Sequence, residues 1–233
     1  MAVHAPSMGY QEAMVSTRLV DNAQFEGAMP HQVWYTSYGS NMHLDRLAFY
    51  IAGGRPSGAA RTYPGCRDKR APAASVPVEL EGALYFATES PVWTGGRAFY
   101  DPEASGRVFA RAHLVTAEQF SDIAAQEMYR EPGVDLDLRE ALSEGRAKLG
   151  DGRYETLICP GTVDGVPVLT FTAPWGMNDV EWVKPSAPYV RYLSTGLLEA
   201  GPWNEAIIAA YVAACPGAAG HWSAREIVDL IRG

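Results

Sequence analysis

The sequence predicts an α+β fold built on a curved or closed mixed sheet. Segments with the two-residue period of half-buried strands follow one another in hairpin-like order. Segments with helical period are inserted among them and then appended as a run at the C-terminus. Strands in succession with helices set apart define the α+β class.

Taken in order, Val33–Ser37 is a short apolar strand running into the tight loop Tyr38-Gly39-Ser40-Asn41, and Leu44 to Ile51 is a short helix stopped by Gly53-Gly54. Residues 55–75 hold Pro, Gly and the basic side chains Arg55, Arg61, Arg67, Lys69 and Arg70, the pattern of a loop. Val76, Val78, Leu80, Leu84 and Phe86 fall on even positions, the clearest strand pattern in the chain. Gly82 lies in the same register and predicts a bulge or a close backbone approach. Residues 91–106 are turn-rich, and Val108 to Leu114 alternate again. Thr116 and Gln119 form a capping-box pattern that opens a helix. Leu138 to Leu149 reads as an amphipathic helix capped by Asp137, and Leu157 to Thr172 as a hairpin turning at Asp164-Gly165. A loop containing Trp175 and Trp182 precedes three helices near 187–200, 203–214 and 224–231, the last opened by a second capping box at Ser223.

Composition narrows the function classes. The 233 residues suit one domain, or at most two small ones. The expected division is an N-terminal extension over 1–30 and a single domain over 31–233. A net charge of −8 argues against a nucleic-acid surface. No run approaches the roughly 18 apolar residues of a membrane span, and residues 1–30 lack a secretory pattern. Cys66, Cys159 and Cys215 are widely spaced without Cys-x-x-Cys, which predicts reduced thiols in a cytoplasmic protein. The five histidines show no i, i+4 pair, so no metal site is expected.

Three places could carry chemistry. The Tyr38–Asn41 loop brings backbone N–H groups and two small polar side chains to one spot, an anion cradle beside a sheet. On the helix after Thr116, Phe120, Ile123, Ala124 and Glu127 share one face, while Glu118 and Asp122 look solvated. An inward carboxylate at Glu127 reads either as a general acid/base with a burial-raised pKa or as a helix-end residue reaching water or Arg130. Tyr189 shares a helix face with Tyr192, Leu193, Gly196, Leu197 and Ala200, and Tyr154 precedes a strand; by pattern alone both are core aromatics. Trp93-Thr94-Gly95-Gly96 reads as a turn. No nucleophile elbow or P-loop is present, and Cys159 has no nearby histidine in sequence.

In order, these residues resemble the γ-glutamylcyclotransferase superfamily. Tyr38-Gly39-Ser40-Asn41-Met42 after a strand looks like its signature loop. Trp93 to Ala98, then Val108 to Val115, looks like its central hairpin, and the helix ending in Glu127 occupies the place of its glutamate. Pro185 to Leu193 resembles its Pro/Tyr helix. The match runs over residues 33–202. The resemblance implies a small, partly closed mixed β-barrel with flanking helices and a cofactor-free, metal-free enzyme. It would cleave a γ-glutamyl amide by attack of the substrate's own α-amine, releasing 5-oxoproline and an amine. It further implies Glu127 as catalytic residue and Tyr38, Gly39, Ser40, Asn41, Tyr189 and Tyr154 as substrate-binding residues. The expected partner is this small molecule, with neither nucleic acid nor membrane, and with a homodimer as one assembly. The chain departs from the family at Met128, where Gly is frequent, and in an insertion over about 131–152. Such insertions reshape substrate choice and suit a specialised amide, such as a natural-product intermediate. An amide hydrolase or acyl-transfer enzyme on the same scaffold is the alternative, and a non-catalytic binding protein the third reading.

Overall fold

The structure is a computed structural model that describes Leu19 and residues 29–55 and 62–233. Most of the expected extension over 1–30, together with Arg61, lies outside the described residues. The elements in order are β1 (Gln32–Ser37), a 3-10 turn (Ser40–Met42), α1 (Leu44–Ala52), β2 (Ala74–Glu81), β3 (Ala83–Glu89), β4 (Gly96–Asp101) and β5 (Arg107–Thr116). Then come α2 (Ala117–Glu127), α3 (Arg139–Glu144), β6 (Arg146–Lys148), β7 (Thr156–Val163), β8 (Val166–Thr172), α4 (Ala187–Ala200), α5 (Glu205–Ala214) and α6 (Ala224–Arg232). The α+β class follows directly.

The strands form a six-stranded sheet in the order β2-β5-β1-β8-β7-β6 and a β3-β4 hairpin. β1 lies near the centre, antiparallel to β5 with Tyr35 opposite His113, and parallel to β8 with Tyr35 beside Leu169. Side chains of successive β1 residues point to opposite faces. Trp34 therefore packs with Val78, Leu80 and Ala110 against Leu193 of α4, Ile208 of α5 and Ile227 of α6. Val33 and Tyr35 pack with Leu169 and Phe171 against Leu47 of α1, Phe120 and Ile123 of α2, and Leu142 of α3. Helices on both faces leave β1 buried on both sides.

The expected single strand over 76–86 is two strands in different sheets. Gly82 is the corner: its φ is +123°, and an added Cβ would lie 2.4 Å from the Asp101 carbonyl oxygen. The predicted close approach is present, and it redirects the chain from the large sheet into the hairpin. On the hairpin's other side, Thr172 Oγ1 donates to the Tyr100 carbonyl at 2.6 Å and accepts from the Tyr100 N–H at 3.2 Å. Side-chain bonds thus carry the curvature from β8 to β4 where no ladder runs, a partly closed arrangement.

Four expectations change. The turn-rich stretch 91–106 contains β4, buried along its length and paired with β3, whereas β5 pairs with β1 and β2. The helix expected over 138–149 ends at Glu144, because Gly145 adopts the left-handed conformation at φ +76°; Arg146–Lys148 then pairs with β7. Leu138, not Asp137, is the N-cap of α3, and Asp137 instead binds Arg139. Asp122 is fully buried rather than solvated, since Arg67 reaches it from the basic loop. The remaining helices, the 157–172 hairpin and both capping boxes stand where the patterns put them.

Candidate active site

Tyr38, Gly39, Ser40, Asn41, Glu127, Tyr154 and Tyr189 all line one cavity of about 310 Å³. β1 leads into the loop, α2 carries Glu127, and α4 carries Tyr189. The insertion over 131–152 adds no lining residue; it forms α3 and β6, and Asp135 in it pairs with Arg67.

The loop after β1 is held by its carbonyls. Gly39 O accepts from the Met42 N–H at 3.1 Å and Ser40 O from the His43 N–H at 3.3 Å. Asn41 O accepts from His113 Nε2 at 3.1 Å, and Met42 O from Arg111 Nη1 at 3.0 Å. The Gly39 N–H leans toward Ser37 Oγ at 3.4 Å. The Ser40 and Asn41 N–H groups find no acceptor among the described residues. Carbonyls engaged and amides available is the arrangement of an anion-binding turn.

His113 anchors this loop. Because Nε2 faces a carbonyl it must carry the proton, so Nδ1 accepts from the Ser75 hydroxyl at 2.8 Å. Burial, and then the neighbouring Arg111 charge, pull the imidazole down to about 3, which keeps the ring neutral.

Glu127 is the last residue of α2, whose Phe120, Ile123 and Ala124 face the core as expected. Its Oε1 accepts from Asn41 Nδ2 at 3.0 Å, and the same amide group lies 3.1 Å from the Tyr35 hydroxyl. The Tyr50 hydroxyl also bonds to Glu127; burial first, then the Glu127 charge, push that phenol well above its ordinary range. Arg130, the alternative partner considered from sequence, pairs with Glu155 instead. The Asn41 amide and the Tyr50 phenol thus orient the carboxylate at the cavity wall, within the field of Arg46.

Tyr154 and Tyr189 bracket one peptide of β4. The Tyr154 hydroxyl donates to the Ala98 carbonyl at 3.3 Å, and the Tyr189 hydroxyl accepts from the Ala98 N–H at 3.2 Å. The Tyr189 proton is therefore available to a ligand. Burial pushes this phenol up to about 12, so it remains a donor at neutral pH. Tyr38 spends its hydroxyl on the Phe171 carbonyl at 2.8 Å and contributes its ring to the wall.

Sequence reasoning missed Arg46, Arg97, Tyr35, Tyr50 and Trp93 as lining residues. Trp93, read as part of a turn, stacks on Tyr189 with centroids 5.3 Å apart. The Arg46 guanidinium sits over the Tyr63 ring at 4.8 Å and bonds its hydroxyl. Among the described residues no three His, Cys, Asp or Glu stand together as metal ligands, and no helix is long and apolar enough to cross a membrane.

Comparison with known proteins gives similarities of different extent. No family model matches the chain. Histone deacetylase 5 of Arabidopsis thaliana is 31% identical over 206 residues, 77% of this chain and 30% of that protein. The chain thus spans under a third of the curated relative it matches. The structure is similar to a solved γ-glutamyl cyclotransferase at 16% identity and TM-score 0.45, over 87% of this chain and 99% of that one. It is similar to an uncharacterized protein from Homo sapiens at 17% identity and TM-score 0.45, over 88% and 100%.

Proposed function

We propose that the protein is an enzyme that cleaves a γ-glutamyl amide by intramolecular attack of the substrate's α-amine, releasing 5-oxoproline and an amine. The observation that carries this is Glu127 fixed by the Asn41 side chain at 3.0 Å, in the same cavity as the unengaged amides of Ser40 and Asn41. A base and an oxyanion cradle then belong to one short motif and the helix facing it.

In this reaction the nucleophile is tethered to its electrophile, so proximity supplies much of the acceleration. Glu127 accepts a proton from the α-ammonium, and the freed nitrogen pair attacks the γ-carbonyl carbon to close a five-membered ring. The carbonyl electrons move onto oxygen, which the Ser40 and Asn41 N–H groups receive. As the carbonyl reforms, the bond to the departing nitrogen breaks and protonated Glu127 returns the proton to it. The restored carboxylate then takes the second proton of the ring nitrogen and passes it to the released amine, which leaves as its ammonium. The Tyr189 hydroxyl donates to the glutamyl group. No step calls for a metal or a cofactor.

The test is incubation with a panel of γ-glutamyl amino acids, γ-glutamyl amines and γ-glutamylated natural-product intermediates, read by mass spectrometry. Release of 5-oxoproline is expected from at least one class. Free glutamate, or a transferred glutamyl group, would replace this reading with hydrolysis or acyl transfer on the same site.

A further inference from the structure

Arg97 lines the cavity from β4 and is 8% exposed. One nitrogen, Nη2, donates to the Glu89 carbonyl, while Nε is buried with no partner. The guanidinium makes no ion pair among the described residues. Of the flanking acids, Asp101 turns its carboxylate to the Glu103 and Met177 N–H groups, and Glu89 turns its own to the Gly95 N–H. A guanidinium taken out of water without a counter-charge is costly, and natural proteins keep such groups where an anion arrives.

The position of this charge is fixed by its neighbour in the strand. Arg97 precedes Ala98, whose peptide is bracketed by the Tyr154 and Tyr189 hydroxyls in the same cavity. Among the described residues, Glu127 is the sole carboxylate in the lining. Its field reaches Arg46, the cavity's other guanidinium, which is already stacked on Tyr50 and Tyr63. The two cations are therefore not equivalent: one answers Glu127 and two rings, the other has a buried Nε without a partner and, among the described residues, no acid.

We propose that Arg97 is the receptor for a substrate carboxylate, and, resting on the γ-glutamyl reading, that this is the α-carboxylate of the glutamyl group. The assignment separates the two anions that such a reaction presents. The ground-state carboxylate goes to Arg97, and the Ser40 and Asn41 amides are left for the oxyanion that forms during attack. Carboxylate recognition then acts in binding and the loop acts in the chemical step.

Ligand pairs that differ only in this group test it. Unmodified protein is titrated by calorimetry with 5-oxoproline and with its carboxamide. The acid is expected to bind at least about tenfold more tightly, the value of one charge-assisted hydrogen bond. In Arg97→Gln the preference is expected to vanish, and in Arg97→Lys to be partly restored. Equal binding of acid and carboxamide by the unmodified protein, or a preference that survives in Arg97→Gln, overturns the proposal. The first comparison needs no variant, so a folding defect cannot obscure it. Turnover is read separately. A protein that prefers the acid but releases no 5-oxoproline from any γ-glutamyl amide retains the Arg97 site and loses the proposed reaction. A protein that turns over with KM unchanged in Arg97→Gln retains the reaction and loses the site.

Discussion

Helix α2 carries two acids into the protein, Asp122 and Glu127, and the protein treats them differently. Asp122 is fully buried; its oxygens accept from the Arg67 N–H at 2.8 Å, Arg67 Nε at 3.0 Å and the Gly133 N–H at 3.0 Å. These bonds tie the basic loop and the start of the insertion to one helix. Glu127, five residues on, is held by the Asn41 amide and the Tyr50 phenol and borders a cavity. A carboxylate clasped by a guanidinium makes short charge-assisted hydrogen bonds that hold two segments together. A carboxylate oriented by an amide and a phenol at a cavity wall can exchange its proton with a ligand. The same residue chemistry on one helix serves as a staple in one place and as a proposed base in the other.

Exchanging each acid for its amide separates these roles most sharply. Glu127→Gln keeps the shape of the side chain and removes the base, so kcat is expected to fall by about 10³-fold, within the usual range for general acid–base groups. Its melting temperature should stay close to that of the unmodified protein. Asp122→Asn should instead lower stability by about 2–3 kcal/mol, less than a fully buried pair because the Arg67 side chain is 33% exposed. Its kcat per folded molecule should be unchanged. Denaturant melts and steady-state rates on both variants decide this, and a Glu127→Gln variant that turns over normally would remove the base from the mechanism.

The support behind Glu127 carries its own pH signature. His113 holds the Asn41 carbonyl, and its pKa is depressed from 6.5 to about 3 by burial and Arg111. Between those values the unfolded chain binds a proton that the folded protein does not. Stability therefore falls as pH drops below about 6.5, and the contribution is complete above it. From about pH 6.5 to pH 5 the loss is expected to be on the order of 2 kcal/mol. His113→Gln removes the titration and should flatten that limb of the stability curve. Equal acid sensitivity in both proteins would show that His113 titrates normally, and so is not the neutral anchor of the loop.

Much of this comparison was legible in the sequence. Glu127 could be placed because Phe120, Ile123 and Ala124 mark the inward face of α2, and the loop because a strand runs straight into it. Asp122 was misread because the same helical wheel turns it toward solvent until Arg67 folds over it, a contact made 55 residues away in sequence. β4 was hidden because it is buried on both faces and opens on Gly96-Arg97, so it lacks the alternation that marks a half-buried strand. The helix expected over 138–149 was lengthened by Ala147, which keeps an apolar position while Gly145 reverses the chain. Arg97 was passed over for a different reason. What distinguishes it is the partner it lacks, and a missing partner is a property of the folded molecule.

The smallest expected effect sharpens the comparison from the ligand's side. An added Cβ at Gly39 would meet only the Tyr189 hydroxyl, at 3.8 Å, and the backbone there has an ordinary φ of −117°. Nothing in the fold requires glycine at this position, so Gly39→Ala should change stability by no more than about 0.5 kcal/mol. The methyl group would occupy space between the loop and Tyr189 that a substrate must enter. KM is then expected to rise by about tenfold with kcat much less affected, the mark of lost binding rather than lost chemistry. A Gly39→Ala variant with unchanged KM would move the substrate away from this wall, and with it the oxyanion from the Ser40 and Asn41 amides. Glu127 would then remain a carboxylate held by Asn41 and Tyr50 beside a cavity, but one whose reacting group lies elsewhere in it.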